Sequence, residues 1–158
     1  MKHLEITTPL TIAQFEELSI SEQKVVDEAR QASMRAYAPY SKFSVGAAIL
    51  LSNGEIVTGA NQENIAYPSG TCAERTACYY AHSQYPEAQF KTIAIAARGT
   101  DGKEVALPIS PCGNCRQALL EYEKFANSNI KVILVGAEEI YILPSIKSLL
   151  PLSFSEFN

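Results

Sequence analysis

Strands alternating with helices after an opening hairpin predict an α/β protein, a mixed sheet covered by helices on both faces. Three observations carry that expectation. Apolar residues recur at helical spacing in three stretches, small and β-branched apolar residues run together in others, and Asn53-Gly54 interrupts two such runs as a hairpin signal.

Each element follows in order. Phe15, Leu18, Ile20, Val25, Val26, Ala29 and Ala36, with Glu and Lys between them, predict helix over 13–36, reset near 19–21 and closed by Pro39. A strand over 43–51, the Asn53-Gly54 turn and a strand over 55–59 make the hairpin. Residues 73–83 read as helix until Pro86, and 91–97 as a buried strand ended by Gly99 and Asp101-Gly102. Pro111 is expected in the first turn of a helix running to about Glu123, where its missing N–H has no partner to lose. Residues 131–136 and 139–143 supply two more strands, which makes five.

A chain of 158 residues suits one domain, here 1–158, with 1–28 as an N-terminal helix or extension of open role. With 47% hydrophobic and 19% charged residues, neither disorder nor a fibrous repeat is a live reading. No apolar run approaches the roughly 18 residues of a membrane span, so the expectation is a cytoplasmic protein with no membrane partner. The net charge of −4 and the scattered Lys and Arg argue against nucleic acid as a partner, because affinity for phosphate backbones comes mostly from those residues. A small, nearly uncharged ligand suits the composition better.

The four cysteines need a separate explanation. A chain of this size buries about 68–70% of its unfolded surface and holds a core without disulfides. Cys112-Gly113-Asn114-Cys115 alone has three readings: a redox pair, half of a metal site, or two core thiols. At a helix start, residues i and i+3 share a face, so both thiolates reach one Zn²⁺ at about 2.3 Å. Cys72, at the start of the 73–83 helix, is the candidate third ligand. Helix N-termini favour thiolate over thiol, and Arg75 offsets the extra negative charge that three thiolates bring. Cys78 and His82 lie about 9 and 15 Å further along that helix and do not reach the metal. Three ligands leave the fourth position to water, the arrangement of a catalytic site. Glu74, in the first turn beside Cys72, is placed to move protons there; read alone, it is an acidic residue at a helix N-terminus.

These residues resemble the small homo-oligomeric cytidine deaminases of pyrimidine salvage. The superfamily signature is a His or Cys, any residue, then Glu, followed by P-C-x-x-C; here it reads Cys72-Ala73-Glu74 and Pro111-Cys112-Gly113-Asn114-Cys115. The likeness runs from about Ala29 to Phe154, through Phe43-Ser44-Val45-Gly46-Ala47-Ala48, Thr58-Gly59-Ala60-Asn61-Gln62-Glu63-Asn64, Cys72-Ala73-Glu74-Arg75-Thr76-Ala77 and Pro111-Cys112-Gly113-Asn114-Cys115-Arg116-Gln117. Leu149-Leu150-Pro151 with Phe154 resembles the family's C-terminal element.

The resemblance implies a three-layer α/β/α fold on a five-stranded mixed sheet, one zinc per chain on Cys72, Cys112 and Cys115, and Glu74 as the acid/base. It implies that Asn61 and Glu63 bind ribose, that Phe43 and the backbone near Ala73 contact the pyrimidine, and that Phe154 reaches a neighbouring subunit's site in a homotetramer. Arg75, Arg116 and Gln117 correspond to groups that hydrogen-bond or neutralise the ligand sulfurs. The implied reaction is hydrolytic deamination of cytidine and 2′-deoxycytidine. The alternatives are a deaminase of a related cytosine nucleoside or nucleoside antibiotic, a deaminase of bases within nucleic acid, and a structural zinc or thiol-redox module. Tyr67, Tyr79, Tyr80 and Cys78 are read as packing residues, and His3 and His82 as solvent-facing.

Overall fold

The computed structural model describes residues 1–155; the last three residues of the expected domain lie outside that range. In chain order the elements are β1 (Thr11–Ala13), α1 (Ile20–Ser33), β2 (Ser44–Leu51), β3 (Ile56–Ala60), α2 (Ala73–Gln84), β4 (Phe90–Arg98), α3 (Gly113–Ala126), β5 (Lys131–Val135) and β6 (Ile140–Leu143). Short 3₁₀ turns at Phe15–Glu17, Tyr67–Ser69 and Ile146–Leu149 complete them.

The sheet has six strands in the order β1-β6-β5-β4-β2-β3, one more than expected. The extra strand comes from the N-terminal segment, where Thr11–Ala13 pairs antiparallel with β6. Three residues whose partner lies 130 positions away carry no periodicity that marks a strand. The Asn-Gly hairpin forms as expected: β2 pairs antiparallel with β3, and Gly54 has φ 89°, which only glycine adopts without strain.

α2 and α3 are crossovers. β3 and β4 both run antiparallel to β2, and β4 runs parallel to β5, so each helix must return the chain to the same end of the sheet. Both lie on one face, over a core of Ile49, Phe90, Ile93, Ile95, Leu119 and Leu134. α1 covers the other face through Val25, Val26 and Ala29, which pack on Ala48, Ala94 and Ile133. The unbroken burial from Thr92 to Ala97 explains the continuous apolar reading of β4: it is covered on both sides.

Helix ends differ from expectation in two places. α1 starts after Ser19, whose Oγ caps the helix while Glu22 returns the bond, so the reset near 19–21 is a capping box. It stops at Ser33, well before Pro39, because the chain turns out to pair Tyr37 N–H with the Asn61 carbonyl at 3.0 Å. Pro111 sits one residue outside α3, since Cys112 holds the extended N-cap conformation, and the helix runs on to Ala126, where Asn127 takes a left-handed φ of 44°.

α3 is tied to the strands by one buried carboxylate. Glu123 Oε2 accepts from the backbone N–H groups of Ile130 at 3.0 Å and Ile146 at 2.8 Å, and Oε1 accepts from Ser145 Oγ at 2.6 Å. The carboxylate thus satisfies two buried amides that no ladder reaches.

α2 lies against β3 at backbone contact. A Cβ on Gly59 would stand 2.4 Å from Ala77 N and 2.6 Å from Ala73 O, so glycine is required there for the helix to approach. That approach sets the position of the N-terminus of α2, where two of the predicted site residues begin the helix.

Candidate active site

Two helix N-termini converge on three thiols. Cys72 is the N-cap of α2, Cys112 the N-cap of α3, and Cys115 lies in the first turn of α3. Neither capping cysteine makes a side-chain cap bond, so the first N–H groups of both helices lend the sulfurs their partial positive charge. Cys72 Sγ lies 3.9 Å from Cys112 Sγ, and Cys112 Sγ lies 3.5 Å from Cys115 Sγ; all three sulfurs fall within 4.8 Å of one another.

Those separations suit a metal. Sulfurs held tetrahedrally at about 2.3 Å from Zn²⁺ are about 3.8 Å apart. The donor set also suits zinc, because thiolate is a soft ligand that selects it over hard cations. Cys78, 0% exposed, lies apart from the cluster in the core, and burial pushes its thiol up to about 12.

The charges are arranged for thiolate. Arg75 Nη2 stands 3.8 Å from Cys72 Sγ, and the Cys72 thiol is held down to about 5, first by the hydrogen bond from Cys115 and next by Arg75. Cys115 is pushed up by the same partnership, led by its bond to Cys72 and then by burial. Arg75 Nε is buried with no hydrogen-bond partner among the described residues, so the contact of the guanidinium with the cluster runs through Nη2.

Glu74 is 3% exposed. Burial, and after it the charge on Cys72, raises its carboxyl above the usual range. A carboxyl poised in this way beside a metal site can hold a proton and give it up.

An open cavity of about 550 Å³ lies against the cluster, lined by Cys72 and Arg75 together with Tyr40, Asn61, Glu63 and Tyr67. Asn61 and Glu63 stand on a segment pinned from both sides. Glu63 N–H donates to the Tyr37 carbonyl at 2.8 Å, while Gln62 and Thr71 exchange two backbone bonds of 2.9 Å each. Both side chains also brace the facing loop. Asn61 Oδ1 accepts from Val45 N–H at 2.7 Å and Nδ2 donates to the Phe43 carbonyl at 3.0 Å. Glu63 Oε2 accepts from the amides of Tyr40 at 2.9 Å and Ser41 at 3.2 Å, and hydrogen bonding from the Ser41 side chain, with these amides after it, holds its carboxyl below the usual range. Each keeps spare capacity, since a carboxylate has about four acceptor sites and a primary amide two donors and two lone pairs.

The remaining predicted residues take varied positions. Ala73 is fully buried under the first turn of α2. Phe43 is half-buried just ahead of β2, next to the cavity's Asn61. Arg116 bonds to backbone carbonyls, with Nε 2.8 Å from Pro111 O and Nη1 2.9 Å from Leu149 O, so Arg75 is the guanidinium beside the thiols. Gln117 Nε2 donates to the Phe154 carbonyl at 2.8 Å, and Phe154 is 64% exposed.

Four residues differ from their sequence reading, and two of them, Tyr79 and Tyr80, assigned to packing, stand exposed on α2. Tyr67, assigned to packing, is exposed and meets Tyr40 edge-on at 6.0 Å over the cavity mouth; the pairing spans 27 positions and has no local signal. His82, expected in solvent, is half-buried with its ring 5.3 Å from Tyr122 and 5.5 Å from Phe125, because α3 covers that side of α2.

Three thiols that could hold a metal at paired helix starts, with a buried carboxyl in the adjoining turn on a mixed sheet, fit the class of the zinc deaminases. Residues 19–130 match the family described as "Cytidine and deoxycytidylate deaminase zinc-binding region". The chain is 41% identical over 134 residues to a cytidine deaminase of Sporosarcina psychrophila, covering 85% of this chain and 91% of that one. It is 38% identical over 134 residues to a probable cytidine deaminase of Dictyostelium discoideum, covering 85% and 84%. Among solved structures, cytidine deaminase from Burkholderia pseudomallei superposes with a TM-score of 0.71 at 34% identity, covering 83% of this chain and 97% of that one. The enzyme from Mycobacterium tuberculosis superposes at 0.65 and 32% identity, covering 87% and 100%. The chain belongs to the cytidine deaminase family.

Proposed function

We propose that this chain hydrolyses cytidine and 2′-deoxycytidine to the uridine nucleosides and ammonia, as a zinc enzyme of pyrimidine salvage. The observation that carries this reading is the buried Glu74 in the first turn after Cys72, whose sulfur both clusters with those of Cys112 and Cys115 and lines the cavity. Zinc bound by those sulfurs would supply the Lewis acidity that brings a water's pKa to about 7.

Glu74 carries the protons. It takes one from the attacking water as the C4–O bond forms and hands it to N3. It then carries the second to the exocyclic nitrogen as the C4–N bond breaks, so that ammonia leaves and the carboxyl returns to its starting state. Burial serves both steps, because a carboxyl raised above its ordinary value is a stronger base and still gives its proton up.

Asn61 and Glu63 bind the ribose with the acceptor and donor sites their backbone bonds leave over. Phe43 and the backbone at Ala73 hold the base, and Arg75 keeps the ligand sulfurs as thiolates. Among the described residues lining the cavity the only cation is Arg75, which faces the sulfurs, so an uncharged nucleoside suits the space better than a nucleotide. Phe154 reaches a neighbouring subunit in a homotetramer, which operates in the cytoplasm as a single domain per chain without nucleic acid or membrane partners. Phe154 supports that assembly by standing exposed on the segment beside α3.

The test is Glu74→Gln, assayed by the ultraviolet change on cytidine deamination with zinc measured on the same sample. The expected result is one zinc per chain and turnover reduced at least about 100-fold, the lower range of a proton-transfer contribution. Wild-type turnover in the variant would defeat the assignment.

A further inference from the structure

We infer that Arg116 is a positioning residue that locks the Cys112 ligand in place through the chain on either side of it rather than through the sulfur. The inference rests on the zinc reading above and extends it to a residue that touches no ligand atom.

Cys72 and Cys112 are both N-caps, but their approaches differ. Cys72 follows Thr71, which is held in a reciprocal backbone pair with Gln62. Cys112 follows a long irregular stretch in which Glu104 makes the isolated bridge, to Arg98, and Cys112 is itself exposed. The chain just before this ligand is therefore tied by something other than a ladder.

Arg116 supplies the tie. The carbonyl of Pro111 lies one residue ahead of the N-cap, outside the reach of the helix's own bonds, and Pro111 is buried. Arg116 Nε donates to it at 2.8 Å, while Nη1 donates at 2.9 Å to the carbonyl of Leu149, the last residue of the Ile146–Leu149 turn. One planar guanidinium thus clamps the entry to α3 against the C-terminal segment. That turn is anchored independently, through the Ile146 amide on Glu123 and the Ser148 carbonyl on Thr8 Oγ1, so it is a fixed wall for the clamp. A lysine cannot do the same, since its single ammonium lacks the rigid fork that spans two carbonyls.

The consequence is a rate. Partners that orient a metal ligand change metal affinity by about 10-fold to 100-fold when removed. Arg116→Lys, loaded with zinc, should release the metal to a chromogenic chelator about 10-fold faster or more than the wild-type chain. Arg116→Gln, which reaches one carbonyl, should also release it faster. The control is Val25→Ala, in α1 on the opposite face of the sheet, which lowers stability without touching the clamp and should stay within about twofold of wild type. If both Arg116 variants release zinc at the wild-type rate, or no faster than Val25→Ala, the clamp is refuted. A wild-type chain that retains no zinc would instead defeat the reading of the site.

Discussion

Gly59→Ala probes how closely the site depends on the packing of α2. The added Cβ would lie 2.4 Å from Ala77 N, 2.6 Å from Ala73 O and 3.0 Å from Ala77 Cα, all atoms of helix backbone that no rotamer change can move. Ordinary contact begins near 3.5 Å, so α2 must lift from β3 by about 1 Å. Overpacking of this kind costs about 1–3 kcal/mol, and a clash with rigid backbone belongs at the upper end. For a domain of this size about 3 kcal/mol lowers Tm by about 6–12 °C. The lift also displaces Cys72 and Glu74, which start the same helix, and a misplacement of about 1 Å can lower the rate about 100-fold. Urea unfolding followed by circular dichroism measures the first effect, and cytidine turnover per bound zinc measures the second. A variant within about 1 kcal/mol of wild type and with full turnover would show that the tight approach of α2 does not set the site.

Three further perturbations test other parts of the structure. Cys112→Ala should lose the metal, read by zinc content after dialysis, and full retention would remove Cys112 from the ligand set. Glu123→Ala strands the Ile130 and Ile146 amides and the Ser145 hydroxyl; at about 1–3 kcal/mol for each unpaired buried group, stability in urea should fall by about 3 kcal/mol or more, and an unchanged midpoint would refute that accounting. Glu22 is held down to about 2 against the upward push of its burial, by hydrogen bonds from Lys131 and Ser19. Because its folded value lies below the unfolded one, its stabilisation is present above about pH 4.5 and is lost as the pH falls towards 2. Lys131 is half-exposed, which limits the effect to about 1 kcal/mol, so the stability gap between wild type and Glu22→Gln should close across that window; a gap independent of pH would count against the pairing.

Much of the site was legible because its ligands obey local rules. Cys112 and Cys115 sit one turn apart at a helix start, and Cys72 and Glu74 share another, so spacing alone places four groups on two helix ends. Glu74's burial was not legible, since it depends on what covers the first turn of α2. Nor were the partners of Asn61 and Glu63: their bonds to Val45, Phe43, Tyr40 and Ser41 join positions 16 to 23 apart in the chain. The sixth strand and the placing of Tyr67 and His82 were hidden for the same reason, each being decided by a distant partner.

Arg116 shows where the division lies. The family resemblance pointed this residue to the sulfurs, whereas the folded chain directs the guanidinium to Pro111 and Leu149, the latter 33 residues away. By itself the sequence determined the three helices, five of the strands and the three cysteines that could hold a metal, because helix starts, turns and i,i+3 spacing are properties of short segments. Only the tertiary structure decided which face of each helix is covered, how close α2 approaches Gly59 and what steadies Cys112, because those depend on backbone groups that every residue carries and no residue type announces.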